Sequence, residues 1–253
     1  MKTEELRKLW KAEEAIAHIK GWDFSHIEGR YTSEDSLPWD YRAAILENLH
    51  PQMQLLDIDT GGGEFLLSLN HPHRNTSAME NYPPNIALCA ETLLPLGIDF
   101  RPGSGNGPLP FEDCRFDLVI NRHGDFHADE IFRVLKPGGL FITQQVGADN
   151  DRALVHLLCG DLPPAFPEQH LAMVEEKFRR AGFTLLRGQE AFSPIRFYDV
   201  GAFVWFARII QWEYPGFSVD THFDRLLEAQ KVLEAHGLIE GLTHRFFLMA
   251  QKP

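Results

Sequence analysis

The chain has 253 residues, 44% hydrophobic and 24% charged, with a formal net charge of -12. That length suits one α/β domain with attachments, or two small domains, and the composition argues against disorder. The acidic balance argues against a nucleic-acid partner, because phosphate binding draws on a basic face. Three widely spaced cysteines, Cys89, Cys114 and Cys159, form no CxxC pair. They fit a reducing cytoplasm rather than a disulfide framework or a zinc site. The charged start, Met1 to Glu5, does not read as a signal peptide, and no apolar run is long enough to span a membrane.

Residues 3–20 carry Leu6, Leu9, Ala12, Ile16 and Ile19 at helical spacing, with Thr3 as the expected cap and Gly21 as the stop. An aromatic loop follows, with Trp22, Phe24 and Tyr31; these either staple the first helix down or line a pocket. Leu37-Pro38-Trp39-Asp40-Tyr41-Arg42 opens a second helix, which Pro51 closes. Gln54 to Ile58 is the first strand. It enters Asp59-Thr60-Gly61-Gly62-Gly63, and a helix starts at Glu64. Strand, glycine turn and helix start together make a place where backbone can approach a ligand and free N–H groups can meet it. His71 and His73 lie in a His-Pro-His helix end and read as plain loop rather than metal ligands.

Further strands are expected at 77–80, 98–100, 116–120 and 140–146, with helices at 85–95 and 129–135 between them. This alternation implies a doubly wound parallel sheet that binds ligands at the strands' C-terminal edge. A helix over 167–181 carries Lys177, Arg179 and Arg180, the longest basic cluster, which reads as a solvated face. Strands at 183–190 and 243–251 close the pattern. The interval between them is too long for a hairpin, so an inserted helical segment is expected at about 197–238. It holds Phe203, Trp205, Phe206, Trp212, Tyr214 and Phe217, either as a helical mini-core or as an apolar acceptor pocket. The expected organisation is an N-terminal helix and aromatic cap over 1–40, then one domain over 41–253.

Several of these blocks resemble the class I S-adenosylmethionine-dependent methyltransferases. The likeness covers about residues 40–190 and the last strand. It rests on Asp57-x-Asp59-x-Gly61-x-Gly63, on Glu80 at the end of the second strand, on Leu109-Pro110-Phe111 running into Phe116-Asp117-Leu118-Val119, and on Arg133-Val134-Leu135-Lys136-Pro137-Gly138-Gly139-Leu140. Trp39-Asp40-Tyr41-Arg42 and Asn121-Arg122-His123 resemble a poorly defined subgroup. The resemblance implies a Rossmann-like, seven-stranded sheet with its last strand antiparallel and helical additions. It implies S-adenosylmethionine as cofactor, S-adenosylhomocysteine as product, and in-line methyl transfer to a small-molecule acceptor. An RNA or protein methyltransferase, or an inactive cofactor-binding relative, is the alternative.

By that resemblance Glu80 holds the ribose hydroxyls and the turn Asp57, Asp59, Thr60, Gly61, Gly63 meets the amino acid end of the cofactor. Asn106 and Asn121 complete the cofactor set. Asn121, Arg122 and His123 are the candidate catalytic residues: an acceptor-orienting amide, an anion holder and a base or structural histidine. Trp39, Tyr41 and Trp212 are the candidate substrate residues. Two positions depart from the family pattern. Asp59 stands where a glycine is usual, and no acid precedes Leu109, which leaves Asn106 as a substitute or as a plain turn residue. Gln144 and Gln145 fall on opposite faces of a strand, so at least one amide needs a partner.

Overall fold

The computed structural model describes residues 2–19, 23–33 and 37–253. The expected stop at Gly21 and the aromatic Trp22 lie outside the described residues. The chain divides into two compact units: residues 1–37, 148–167 and 191–244, and residues 38–147, 168–190 and 245–253.

The second unit holds the doubly wound sheet. Its strands are β2 (Leu55–Ile58), β3 (Thr76–Glu80), β4 (Asp99–Pro102), β5 (Phe116–Arg122) and β6 (Leu135–Val146), with the parts of β7 (Thr184–Phe197) and β8 (Ile239–Gln251) that fall in this unit. Their order is β7-β8-β6-β5-β2-β3-β4. Strands β2 to β6 are parallel, and β8 runs antiparallel to β6, with Leu140 opposite Gln251. The doubly wound parallel strands and the antiparallel last strand are as expected. β2 is buried throughout, as an interior parallel strand must be. Helices α2 (Tyr41–Asn48), α3 (Glu64–Ser68), α4 (Pro83–Thr92), α5 (Ala128–Val134) and α7 (Leu171–Arg180) complete the unit. Its core joins Leu56, Ile58 and Val119 of the sheet to Phe141, Phe178 and Phe246. Asp40 caps α2 by accepting the Ala43 N–H at 2.9 Å. On α7, Lys177, Arg179 and Arg180 pair with Glu168, Glu175 and Glu176, as a solvated face does. His71 is structural: its Nε2 lies 2.8 Å from the Met53 carbonyl oxygen.

The first unit contains α1 (Thr3–Ile16), β1 (Tyr31–Ser33), α6 (Arg152–Cys159), α8 (Val200–Ile209) and α9 (Phe223–His236). Its core packs Trp10, Phe197, Phe203, Trp205, Tyr214 and Phe217 together. The aromatic insertion therefore makes a helical mini-core; of Phe203, Trp205, Phe206, Trp212, Tyr214 and Phe217, Trp212 alone is exposed, at 44%. Asp199 caps α8 through the Ala202 N–H at 2.8 Å, and Arg30 forks onto the same carboxylate at 2.8 and 2.7 Å.

The sheet departs from the expected count: it has eight strands rather than seven, because β1 pairs antiparallel with β7, Tyr31 opposite Phe197. Three residues on an edge carry no periodic signal to read. α1 ends at Ile16, a turn early, and starts with Thr3 already helical; the Glu5 carboxylate caps it, Oε2 accepting the Lys2 N–H at 3.0 Å. α6 is an additional helix beyond those the spacing predicts. Among the described residues, no helix is long and apolar enough to cross a membrane.

Candidate functional site

From β2 the chain winds outward to β3 and β4, then returns across β2 to β5 and β6. The connections leaving β2 and β5 therefore diverge, and an open α/β sheet has its crevice at such a point. Two loops meet there, residues 59–63 after β2 and 121–125 at the end of β5, with Ile58 and Asn121 in register.

The first loop is built on left-handed backbone. Asp59, Gly61 and Gly63 have φ of 55°, 66° and 86°. At Gly63 a Cβ would also lie 2.8 Å from the Leu93 side chain, so glycine is required there twice over. Glu80 ties the loop to β3: Oε2 accepts the Gly61 N–H at 2.7 Å, and Oε1 accepts those of Asn81 and Tyr82 at 2.9 Å each. Asp57 Oδ2 accepts the Thr60 hydroxyl at 2.6 Å, and Thr60 N–H reaches the Met79 carbonyl at 3.0 Å. Cys89 Sγ lies 3.1 Å from the Gly61 carbonyl oxygen. The structure thus brings Asp57, Asp59, Thr60, Gly61, Gly63 and Glu80 together.

Asp59 also reaches the second loop. Its Oδ2 accepts the Asp125 N–H at 2.7 Å, and Gly124 packs so close that a Cβ there would lie 2.5 Å from Asp59 Cβ. Asn121 Nδ2 donates to the Ile58 carbonyl at 2.9 Å and to the Asp125 carbonyl at 3.4 Å, while its Oδ1 accepts from Gln145. The buried Asn121 is thereby committed to holding the two strand ends together. Gly105 completes the contact: a Cβ there would fall 1.9 Å from the Asp125 carbonyl oxygen.

The site is electrostatically unbalanced. Burial pushes the Asp57 carboxyl up to about 7; the Thr60 hydroxyl and the Arg122 charge oppose this, and Glu80 adds to it. Burial also raises Asp59 to about 7, against the bond from Asp125, with Glu80, Asp125 and Asp57 contributing. These acids sit where a cation would relieve them.

On the other side, Trp39 Nε1 donates to Gln144 Oε1 at 2.8 Å, and Gln144 Nε2 lies 3.2 Å from His123 Nε2. Tyr41 is buried; its hydroxyl donates to the Asn121 carbonyl at 3.0 Å, and its ring stacks on Phe65 at 5.4 Å. The Arg122 guanidinium lies over Phe65, 4.5 Å from the ring centre. His123 is held well below the usual imidazole range by desolvation, with Arg245 and Arg122 adding to it, although part of the residue stays open to solvent. Trp39, Tyr41, Arg122 and His123 therefore cluster beside Asn121. Asn106 does not join the bonded network: it is exposed in its turn, its N–H bonded to Ser104 Oγ at 3.3 Å. Trp212 belongs to the first unit.

Residues 56–143 match the family model described as a methyltransferase domain. In that segment the chain is similar to the class I, Rossmann-like S-adenosylmethionine-dependent methyltransferases. Botryococcene C-methyltransferase of Botryococcus braunii is 29% identical over 49% of this chain and 36% of its own. Phthiotriol/phenolphthiotriol dimycocerosates methyltransferase of Mycobacterium tuberculosis is 32% identical over 40% of each chain. The chain thus spans well under half the length of either relative. Among solved structures, the YcgJ protein of Bacillus subtilis superposes with a TM-score of 0.58 at 16% identity, over 84% of this chain and 97% of that one. The [4+2]-cyclase SpnF superposes with a TM-score of 0.50 at 17% identity, over 98% of this chain and 94% of that one. These likenesses establish the fold alone, and the cyclase shows that one fold hosts different reactions.

The cofactor of the family is S-adenosylmethionine. The residues fit such a group. Its sulfonium and ammonium are cationic, and the glycine turn is ringed by Asp57, Asp59 and Glu80, two of them with raised affinity for protons. Glu80 Oε2 accepts one N–H, which leaves it an acceptor position for a hydroxyl.

Proposed function

We propose that the protein is an S-adenosylmethionine-dependent methyltransferase acting on a small molecule. The observation that carries this reading is the convergence of Asp57, Asp59 and Glu80 on a glycine turn at the point where the sheet's winding reverses. The likeness to the botryococcene and phthiotriol/phenolphthiotriol dimycocerosates methyltransferases and the acidic net charge support the choice of acceptor class.

In this reading Glu80 holds the ribose hydroxyls, and the backbone of Asp57 to Gly63 holds the amino acid end of the cofactor. The bound cofactor supplies a methyl carbon already activated by its sulfonium, so the chain has mainly to align two reactants and exclude water. Asn121 does this indirectly, by fixing the β2 and β5 ends against each other. Arg122 and His123 face the acceptor.

Calorimetric titration with S-adenosylmethionine tests the proposal. Saturable binding is the expected result. Absence of both heat and a thermal shift at millimolar ligand would overturn it in favour of a relative that has lost the cofactor.

A further inference from the structure

The hydrogen bonds around His123 fix its protons by elimination. An indole Nε1 can only donate, so the Gln144 atom facing Trp39 at 2.8 Å is the carbonyl oxygen. The Gln144 atom facing His123 is then the amide nitrogen, which can only donate as well, so His123 Nε2 must accept at 3.2 Å. The imidazole proton sits on Nδ1. No partner for Nδ1 occurs among the described residues, and the residue is exposed. The ring is held in place against cost: His123 has φ of 59°, a conformation uncommon outside glycine, and its N–H bonds to the Gln144 carbonyl at 2.9 Å.

Next to it, Arg122 forms no ion pair or hydrogen bond among the described residues. Its guanidinium is positioned instead by lying on Phe65, which is stacked on the buried Tyr41. Asp57 feels its charge without an ion pair. Two oriented donors thus stand unpaired at the end of β5.

We propose that Arg122 and His123 form a subsite for an anionic oxygen of the acceptor, with Trp39 and Gln144 as positioning residues that hold His123 as the tautomer donating from Nδ1. The acceptor class is a carboxylate, phenolate or enolate, all of which present an anionic oxygen on a trigonal carbon. His123 is then not a general base, because its one lone pair is spent on Gln144. This rests on the methyltransferase reading for what lies beside the subsite, while the tautomer stands apart from it.

The test has two arms. Imidazole nitrogen NMR of the whole protein, with His123→Gln to identify the signal, reads the tautomer. The expected result is an Nδ1-protonated ring; an Nε2-protonated ring would overturn the proposal. Gln144→Glu, which places an acceptor where the donor stood, should move the proton to Nε2. In the second arm, benzoate and the neutral benzamide are titrated into protein saturated with S-adenosylhomocysteine. Benzoate should shift the His123 Nδ1 signal and bind about tenfold more tightly than benzamide, and Arg122→Gln should remove the preference. Equal binding, or none, sinks the subsite while leaving the cofactor reading intact. Failure to bind S-adenosylhomocysteine sinks the cofactor reading and is seen in a separate titration.

Discussion

Asp59 occupies a backbone position that glycine suits best, and its carboxylate bridges two loops. These facts pull in opposite directions on substitution. Asp59→Gly relieves the left-handed strain but loses the bond to Asp125, so the two effects, each about 1 kcal/mol, should nearly cancel in stability. Asp59→Ala loses the bond and keeps the strain, and should cost about 1–2 kcal/mol by urea denaturation. Its ionisation gives a further expectation. Asp57 and Asp59 hold protons up to about 7 in the folded state, against 3.8 for an ordinary aspartate. Between those limits the folded chain binds more protons than the unfolded one. Stability contributed by these groups is therefore lost as pH rises from about 4 to about 7. A cationic ligand favours the charged carboxylates, so affinity for S-adenosylmethionine should rise with pH, by up to about tenfold per unit below 7. Calorimetry between pH 6 and 8 measures this, and Asp59→Asn should flatten the profile. A flat profile in the unmodified protein would remove these acids from cofactor binding.

At the scale of elements, the loop before Leu109 is pressed against the end of β5. Gly105→Ala would drive a Cβ into the Asp125 carbonyl oxygen, 1.9 Å away, which backbone cannot cheaply vacate. It should cost about 1–3 kcal/mol and weaken cofactor binding together with stability. Gly107, two residues on, has nothing nearer than 3.9 Å, and its replacement by alanine should stay within about 0.5 kcal/mol. Chemical denaturation of the pair separates the specific contact from a general intolerance of the loop. Gln144 and Gln145 show how far an element could be read beforehand. Strand alternation puts them on opposite faces and requires a partner for at least one; both have partners, and these lie elsewhere in sequence. Gln145 fixes Asn121, and Gln144 joins Trp39 to His123.

For the whole molecule, the two units have separate cores, one around the parallel sheet and one around Trp205 and its aromatic neighbours. Trp205→Ala should cost about 3–5 kcal/mol. The exposed Trp212, replaced by alanine, should cost less than about 1 kcal/mol. Denaturant titration checks both, and cofactor affinity in the folded Trp212 variant should be unchanged. The strands of the second unit were legible because buried parallel strands are apolar runs separated by glycine and proline. The grouping of Asp57, Asp59, Thr60, Gly61 and Gly63 with Glu80 was legible because these residues are close in sequence or end a strand. What escaped was long-range or local beyond pattern. β1 is three residues on an edge, the Asp59 to Asp125 bond joins residues 66 apart, and Trp39 reaches Gln144 across 105. No spacing rule reports such pairs, since the fold and not the chain makes them neighbours.

Trp39 has an optical consequence. It is the one tryptophan of the second unit, its ring buried near Phe247 and its N–H bound to the amide that orients His123. Indole emission depends on the hydrogen bonding and polarity around the ring. With the other four tryptophans replaced by phenylalanine, the protein would carry a built-in fluorophore wired to the proposed acceptor subsite, and its filling could be followed as a change of colour without knowing which acceptor to add.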